Sequence, residues 1–155
     1  VKIAVITVSD RAAGGVYEDA SGPAIAAVFA ERCPGAALER EIVADGVDSV
    51  LAALARHADA DWIVTTGGTG PSPRDLTPEA SANYCDRAMP GIAEYLRARS
   101  LAETPFAVFS RGYAGMRGAQ YVVNFPGSVK AAAFHAELLA PLLEHGVAMA
   151  LGKGH

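Results

Sequence analysis

Cysteine is nearly missing from these 155 residues: Cys33 and Cys85 stand far apart, too few for a disulfide framework or a zinc ribbon. They read as two buried or unremarkable thiols in a reducing cytoplasm. No Cys-His, Ser-His or His-Glu-x-x-His pattern occurs, which leaves covalent catalysis and zinc hydrolysis without support. The histidines His57, His135, His145 and His155 sit in no catalytic-looking context and read as surface or packing residues. Positive charge is short as well. Thirteen Lys and Arg against 17 Asp and Glu give a formal charge of −4 with no basic run, which argues against a nucleic-acid surface. No apolar run reaches the ~18 residues of a membrane span; the stretch Ala131–Leu151 is broken by charges, Pro141 and Gly146. The chain opens directly on the strand-like Val1–Ile6, which leaves no room for a signal peptide, so a soluble, cytoplasmic protein is expected.

No internal repeat, low-complexity tract or interdomain linker interrupts the sequence, and its length suits one domain over residues 1–155. With 51% hydrophobic and 19% charged residues, the chain can bury a proper core. Its expected partner is a small molecule or another protein rather than nucleic acid or membrane.

The β-branched run Ile3–Val8 has the near-continuous apolar character of a strand covered on both faces. A helix follows from Ser21-Gly22-Pro23, with Ile25, Val28 and Phe29 on one face, and closes before Cys33-Pro34-Gly35. Leu38, Arg40 and Ile42 alternate with Glu39 and Glu41 in a less buried strand. Val47, Val50, Leu51 and Leu54 then mark a second helix leading to the central strand Trp62–Thr65. Further on, a helix from Thr77 is expected to stop near Met89-Pro90-Gly91, where another begins. Pro105–Phe109 and Tyr121–Phe125 read as strands, and a last helix starts after Pro126-Gly127-Ser128 and runs toward Gly152 with a bend at Pro141. Alternating strands and helices predict a three-layer α/β fold: an open, mostly parallel sheet with helices on both faces.

Between the central strand and the helix at Thr77 lies Thr66-Gly67-Gly68-Thr69-Gly70-Pro71-Ser72-Pro73-Arg74-Asp75. Three glycines in four residues let a backbone approach a ligand closely, and exposed N–H groups in such a turn form an anion-binding concavity. Thr77 as N-cap with Pro78 at the first helical position would add a positive helix end nearby. Glycines also serve merely to turn a corner, but Arg74 and Asp75 beside them suit a phosphate and the Mg²⁺ that accompanies nucleotides.

Every strand end carries similar residues: Ser9-Asp10-Arg11, Asp45, the glycine loop, Ser110-Arg111 and Asn124-Phe125-Pro126-Gly127-Ser128. In open α/β sheets ligands bind outside the carboxyl ends of the strands. If the strands are parallel, these five segments share one rim. Singly each has a plain alternative, Asp10 and Asp45 as helix caps and Arg111 as a solvated arginine. Pro126-Gly127-Ser128-Val129-Lys130 reads either as a second phosphate-facing helix start or as an ordinary capped helix.

These segments, in this order, together with Pro73–Ala80 and Pro90-Gly91, resemble the motifs of the molybdopterin adenylyltransferase family, which includes Mog and MoaB proteins and the gephyrin G domain. The resemblance extends over nearly the whole chain. It implies a homotrimer that transfers AMP from ATP to molybdopterin, releases pyrophosphate and hands its product to a molybdate-insertion partner. Carried over by motif, Asp45 and Asp75 would be the catalytic acids and Mg²⁺ ligands. Gly67, Gly68, Thr69, Gly70, Arg74, Asn124, Pro126, Gly127 and Ser128 would hold nucleotide and phosphate. Ser9, Asp10, Ser110 and Arg111 would lie on the molybdopterin side. Asp45 sits in Val43-Ala44-Asp45-Gly46, without the Pro-Asp pattern common at that place. The alternative within the family is a non-catalytic, MoaB-type binding or scaffold protein. Thr65–Thr69 also looks like the diphosphate loop of phosphoribosyltransferases, but that loop follows two adjacent acids, and here Asp61 is followed by Trp62.

Overall fold

The structure, a computed structural model, describes residues 1–153; the expectation for His155 falls outside the described residues. Its elements are β1 (Lys2–Val8), α1 (Asp10–Ala13), α2 (Ser21–Arg32), β2 (Ala37–Val43), α3 (Val47–Arg56), β3 (Trp62–Thr66), α4 (Thr77–Tyr84), β4 (Arg87–Ala88) and α5 (Pro90–Leu101). After a 3₁₀ turn at Pro105–Phe109 come β5 (Ala114–Arg117), β6 (Gln120–Phe125), α6 (Val129–Leu139), a 3₁₀ turn at Ala140–Leu142 and α7 (Leu143–Ala150).

The six strands form one sheet in the order β2-β1-β3-β6-β5-β4. β2, β1, β3 and β6 pair in parallel, and β5 and β4 are added antiparallel. Side-chain alternation divides the buried residues between two faces. Ile3, Val5, Trp62, Val64, Tyr121 and Val123 pack under α2, α5, α6 and α7, whereas Ala4, Ile6, Val8, Ile63 and Val122 pack under α3 and α4. Trp62 and Tyr121 stack with ring centroids 4.0 Å apart and donate hydrogen bonds to the carbonyls of Leu143 and Gly146, which ties α7 to the sheet. The α/β, three-layer, mostly parallel expectation holds, as does the break in the last helix at Pro141.

Three local expectations are corrected. Pro105–Phe109 is a 3₁₀ turn, not a strand: Pro105 offers no N–H to a ladder, and the Thr104 side chain caps the turn by accepting from the Phe106 N–H. The helix from Thr77 ends at Tyr84 rather than near Met89, because the chain pairs as β4 along β5. Thr77 is not an N-cap. Leu76 holds that position, and the Thr77 hydroxyl donates to the Gly67 carbonyl at 2.9 Å while its N–H donates to the Gly68 carbonyl at 3.1 Å.

The chain runs from β1 to β2 on one side and returns to β3 on the other, so strand order reverses between β1 and β3. Adjacent connections there leave in opposite directions and open a crevice at the carboxyl end of the sheet. The segments that follow β1 and β3 are Ser9-Asp10 and the glycine loop.

Candidate functional site

The glycine loop is wedged among strand ends by its backbone. Gly67 has φ +102°, and a Cβ there would lie 2.4 Å from the Val8 carbonyl oxygen. The Gly67 N–H donates to the Phe125 carbonyl, and the Thr66 hydroxyl donates to the Pro126 carbonyl at 2.7 Å. Gly127 meets Gly67 so closely that a Cβ on Gly127 would sit 3.3 Å from the Gly67 Cα. Gly68, at φ +67°, faces the Thr77 hydroxyl, which a Cβ would meet at 2.3 Å. The loops after β3 and β6 therefore touch backbone to backbone.

The two candidate acids flank this loop. A Cβ on Gly68 would be 3.4 Å from Asp45 Oδ1, and one on Gly70 would be 2.8 Å from Asp75 Oδ2. Asp75 also accepts from the Ser72 N–H at 3.2 Å. Asp45 is held reciprocally with Asp10: each carboxylate accepts from the other residue's backbone N–H, at 2.9 and 3.0 Å. Arg74, largely exposed, pairs with the second Asp10 oxygen. Ser9 caps α1 through the Ala12 N–H and touches the Tyr17 hydroxyl.

A cavity of about 450 Å³ opens beside the loop. Of the candidate residues, Gly68, Thr69, Gly70, Asp75, Ser110, Asn124, Pro126 and Gly127 line it; α5, the 3₁₀ turn at 105–109 and α6 form the remaining wall. Ser9, Asp10, Asp45, Gly67, Arg74, Arg111 and Ser128 do not line it. Ser128 caps α6 by accepting from the Ala131 N–H. Asn124 is buried with its amide committed inside the protein, donating to Thr65 and Ser81 and accepting from the Tyr113 N–H.

Ser110 and Arg111 were expected at a strand end on this rim. They reach the rim for another reason: they precede β5, and an antiparallel strand begins where its parallel neighbours finish. Arg111 is committed to the protein. Its guanidinium donates to the carbonyls of Gly70 at 2.9 Å and Asp75 at 2.6 Å and pairs with Glu79. Its own N–H donates to the Thr69 carbonyl at 2.8 Å. Arg97 of α5 clasps the same segment, donating to the carbonyls of Ser110 and Gly112. Two arginines in series thus brace the glycine loop against α5.

Hydrogen bonding to Arg111 holds the Glu79 carboxyl below the ordinary carboxylate range. A carboxylate with a lowered folded pKa contributes above its unfolded value and loses that contribution as pH falls. Arg111→Met should therefore raise amide exchange at residues 70–79 several-fold near pH 7 with little change in global unfolding, since these groups are solvent-screened. In the wild type the protection of these amides, corrected for their intrinsic exchange rates, should weaken as acid protonates Glu79, and the variant should lack that dependence. Hydrogen exchange followed by mass spectrometry reads both.

His135 was missed as a site residue. It is 4% exposed, packs edge-on against Phe125 at 5.2 Å and also lines the cavity. Its Nε2 lies 2.7 Å from the Ser100 hydroxyl, whereas Nδ1 is the one buried side-chain nitrogen or oxygen among the described residues without a partner. The available signal was its spacing: Ala131 and His135 are one helical turn apart on α6, the helix that Ser128 caps. Burial first, and the Arg97 charge second, lower its pKa to about 4. The imidazole is neutral when folded and takes up its proton on unfolding below ~6.5. Stability should then fall by about 3 kcal/mol as pH drops from ~6.5 toward ~4. Urea denaturation across that range checks it, with His135→Asn flattening the slope.

An open, mostly parallel α/β sheet with a glycine loop and two carboxylates at its switch point belongs to the class of folds whose ligands sit outside the carboxyl ends of the strands. The family model described as "Probable molybdopterin binding domain" matches residues 4–145. The chain belongs to this family. It is 40% identical over 157 residues to the molybdopterin adenylyltransferase of Helicobacter pylori strain J99, covering 99% of this chain and 89% of that protein. The molybdopterin adenylyltransferase of Escherichia coli K12 is 34% identical, with 84% and 69% covered. The structure of the molybdopterin biosynthesis enzyme MoaB of Thermus thermophilus superposes with a TM-score of 0.87 at 37% identity, covering 98% of this chain and 97% of that one. The tungsten cofactor synthesizing protein MoaB of Pyrococcus furiosus superposes with a TM-score of 0.86 at 36% identity, 96% of each chain being covered. No helix among the described residues is long and apolar enough to cross a membrane.

Proposed function

We propose that this chain is a molybdopterin adenylyltransferase of molybdenum cofactor biosynthesis, transferring AMP from ATP to molybdopterin with release of pyrophosphate. The observation that carries the reading is the placement of Asp45 and Asp75 on either side of a glycine loop wedged between the ends of β1 and β6. Full-length relatives named for this activity support it. The terminal phosphate oxygen of molybdopterin attacks the α-phosphorus of ATP. The new O–P bond forms as the bond to pyrophosphate breaks, with no covalent enzyme intermediate. Gly68, Thr69, Gly70, Gly127 and Ser128 offer backbone N–H groups to the phosphates, and the bracing from Arg111, Arg97 and Thr77 preorganises them. Ser9, Asp10 and Ser110 lie toward molybdopterin. Arg111 serves that side by holding the loop.

Asp45 and Asp75 fit Mg²⁺, a hard cation bound by one or two carboxylates together with substrate phosphates. No group of three or more metal-ligating side chains occurs among the described residues, so phosphate oxygens would complete the shell. The ion would neutralise charge on the phosphates. Assembly as a cytoplasmic homotrimer and transfer of the product to a molybdate-insertion partner belong to the same reading.

The test is pyrophosphate release by the purified protein given ATP, Mg²⁺ and molybdopterin, with a control lacking molybdopterin. Release that depends on molybdopterin is the expected result. Tight molybdopterin binding without release would move the protein to the binding or scaffold class.

A further inference from the structure

Asp45 and Asp75 lie on different loops, the first after β2 and the second at the end of the glycine loop after β3. Two carboxylates share one cation only at a fixed separation, so the contacts that tie the two loops together set the geometry. One chain of contacts does this. Asp45 Oδ2 accepts from the Asp10 N–H at 2.9 Å, and Asp10 Oδ1 accepts from the Asp45 N–H at 3.0 Å. The other Asp10 oxygen, Oδ2, pairs with the guanidinium of Arg74, the neighbour of Asp75 in sequence. Asp75 Oδ2 accepts from the Ser72 N–H. These bonds use neither Oδ1 of Asp45, which faces Gly68, nor Oδ1 of Asp75. Residues 71–74 are exposed, and among the described residues the Arg74–Asp10 pair is the one hydrogen bond they make beyond Asp75. Neither Asp10 nor Arg74 lines the cavity.

We propose that Asp10 and Arg74 are positioning residues: their ion pair straps the loop that carries Asp75 to the loop that carries Asp45, and so fixes the separation of the two acids. The inference rests on the transfer reading above, in which those acids hold Mg²⁺. The family resemblance makes Arg74 a phosphate contact and Asp10 a molybdopterin contact, whereas the structure spends the two side chains on each other. An exposed ion pair contributes little to global stability. Its effect is local, on the order of residues 71–75, and a small displacement of a reacting or ligating group has a large effect on rate.

The experiment compares the wild type with Asp10→Asn, Arg74→Met, the double variant and Arg74→Lys. Asp10→Asn keeps an acceptor for the Asp45 N–H and removes only the charge that Arg74 meets. Arg74 is largely exposed, so its variants should fold. In pyrophosphate release, either single variant should lower kcat and raise the Mg²⁺ concentration for half-maximal rate about fivefold, with KM for ATP and molybdopterin within about twofold. The double variant should be no worse than either single one, and Arg74→Lys, which keeps the pair, should stay near wild type. Losses that multiply in the double variant overturn the proposal; Arg74 would then serve ATP and Asp10 molybdopterin separately, each seen in its own KM. ¹⁵N relaxation of the protein without metal or substrate gives a reading independent of activity. The backbone order parameters of Ser72, Arg74 and Asp75 should fall in Asp10→Asn, although that substitution lies in another loop, and unmoved values overturn the proposal. Wild-type protein that releases pyrophosphate while both single variants keep its Mg²⁺ dependence defeats this inference alone. Wild-type protein that releases none defeats the transfer reading, and the order parameters then decide the strap.

Discussion

Asp75→Asn lowers molybdopterin-dependent pyrophosphate release by ~10²–10³ while leaving the fold and molybdopterin binding nearly intact. The magnitude is that of losing one preorganised electrostatic contact at a centre of developing charge. The fold survives because asparagine keeps the size of the side chain and an acceptor for the Ser72 N–H, the hydrogen bond Asp75 makes at 3.2 Å. Only the charge is removed, beside Gly70, where the carboxylate lies against the loop backbone. Steady-state release, calorimetric titration with molybdopterin and a thermal melt separate these effects. A near-normal rate would remove Asp75 from the mechanism, and a lowered melting temperature would make the loss structural instead.

Gly67→Ala destabilises the protein by about 3–4 kcal/mol, or about 10 °C in melting temperature for a chain of this size. Two costs combine. Gly67 has φ +102°, where a side chain is strained, and its Cβ would stand 2.4 Å from the Val8 carbonyl oxygen. Neither atom yields easily, because the Gly67 N–H is bonded to the Phe125 carbonyl and Gly127 packs against its Cα. Gly118→Ala is the comparison. Gly118 has φ +58° with nothing within 4 Å of the added Cβ, so it should lose only about 1–2 kcal/mol. Equal losses in thermal melts of the two variants would mean that the contact with Val8 contributes nothing.

How far the fold was legible depended on whether a segment's structure comes from its own residues. The parallel strands and the helices between them were legible, since continuous β-branched runs and 3.6-residue spacing are local signals. β5 was not. Ala114-Gly115-Met116-Arg117 has no strand pattern of its own and is extended because it pairs with β6. β4, two residues long, depends on β5 in turn. Pro105–Phe109 failed in the opposite sense, its apolar residues suggesting a strand although Phe106, Val108 and Phe109 are exposed on a 3₁₀ turn.

The candidate site divides in the same way. Glycines that need positive φ, carboxylates after strands and the serine that caps α6 are dictated by local chemistry, and the sequence alone was enough to place them together on one rim. Only the tertiary structure decided what each polar group is free to do. It commits Asn124 to Thr65, Ser81 and Tyr113, turns Arg111 into a brace on carbonyls 36 and 41 residues away, and leaves His135 Nδ1 buried without a partner. The physical reason is that backbone conformation is set within a few residues, whereas hydrogen-bond saturation is set by whichever distant groups the fold brings within ~3 Å.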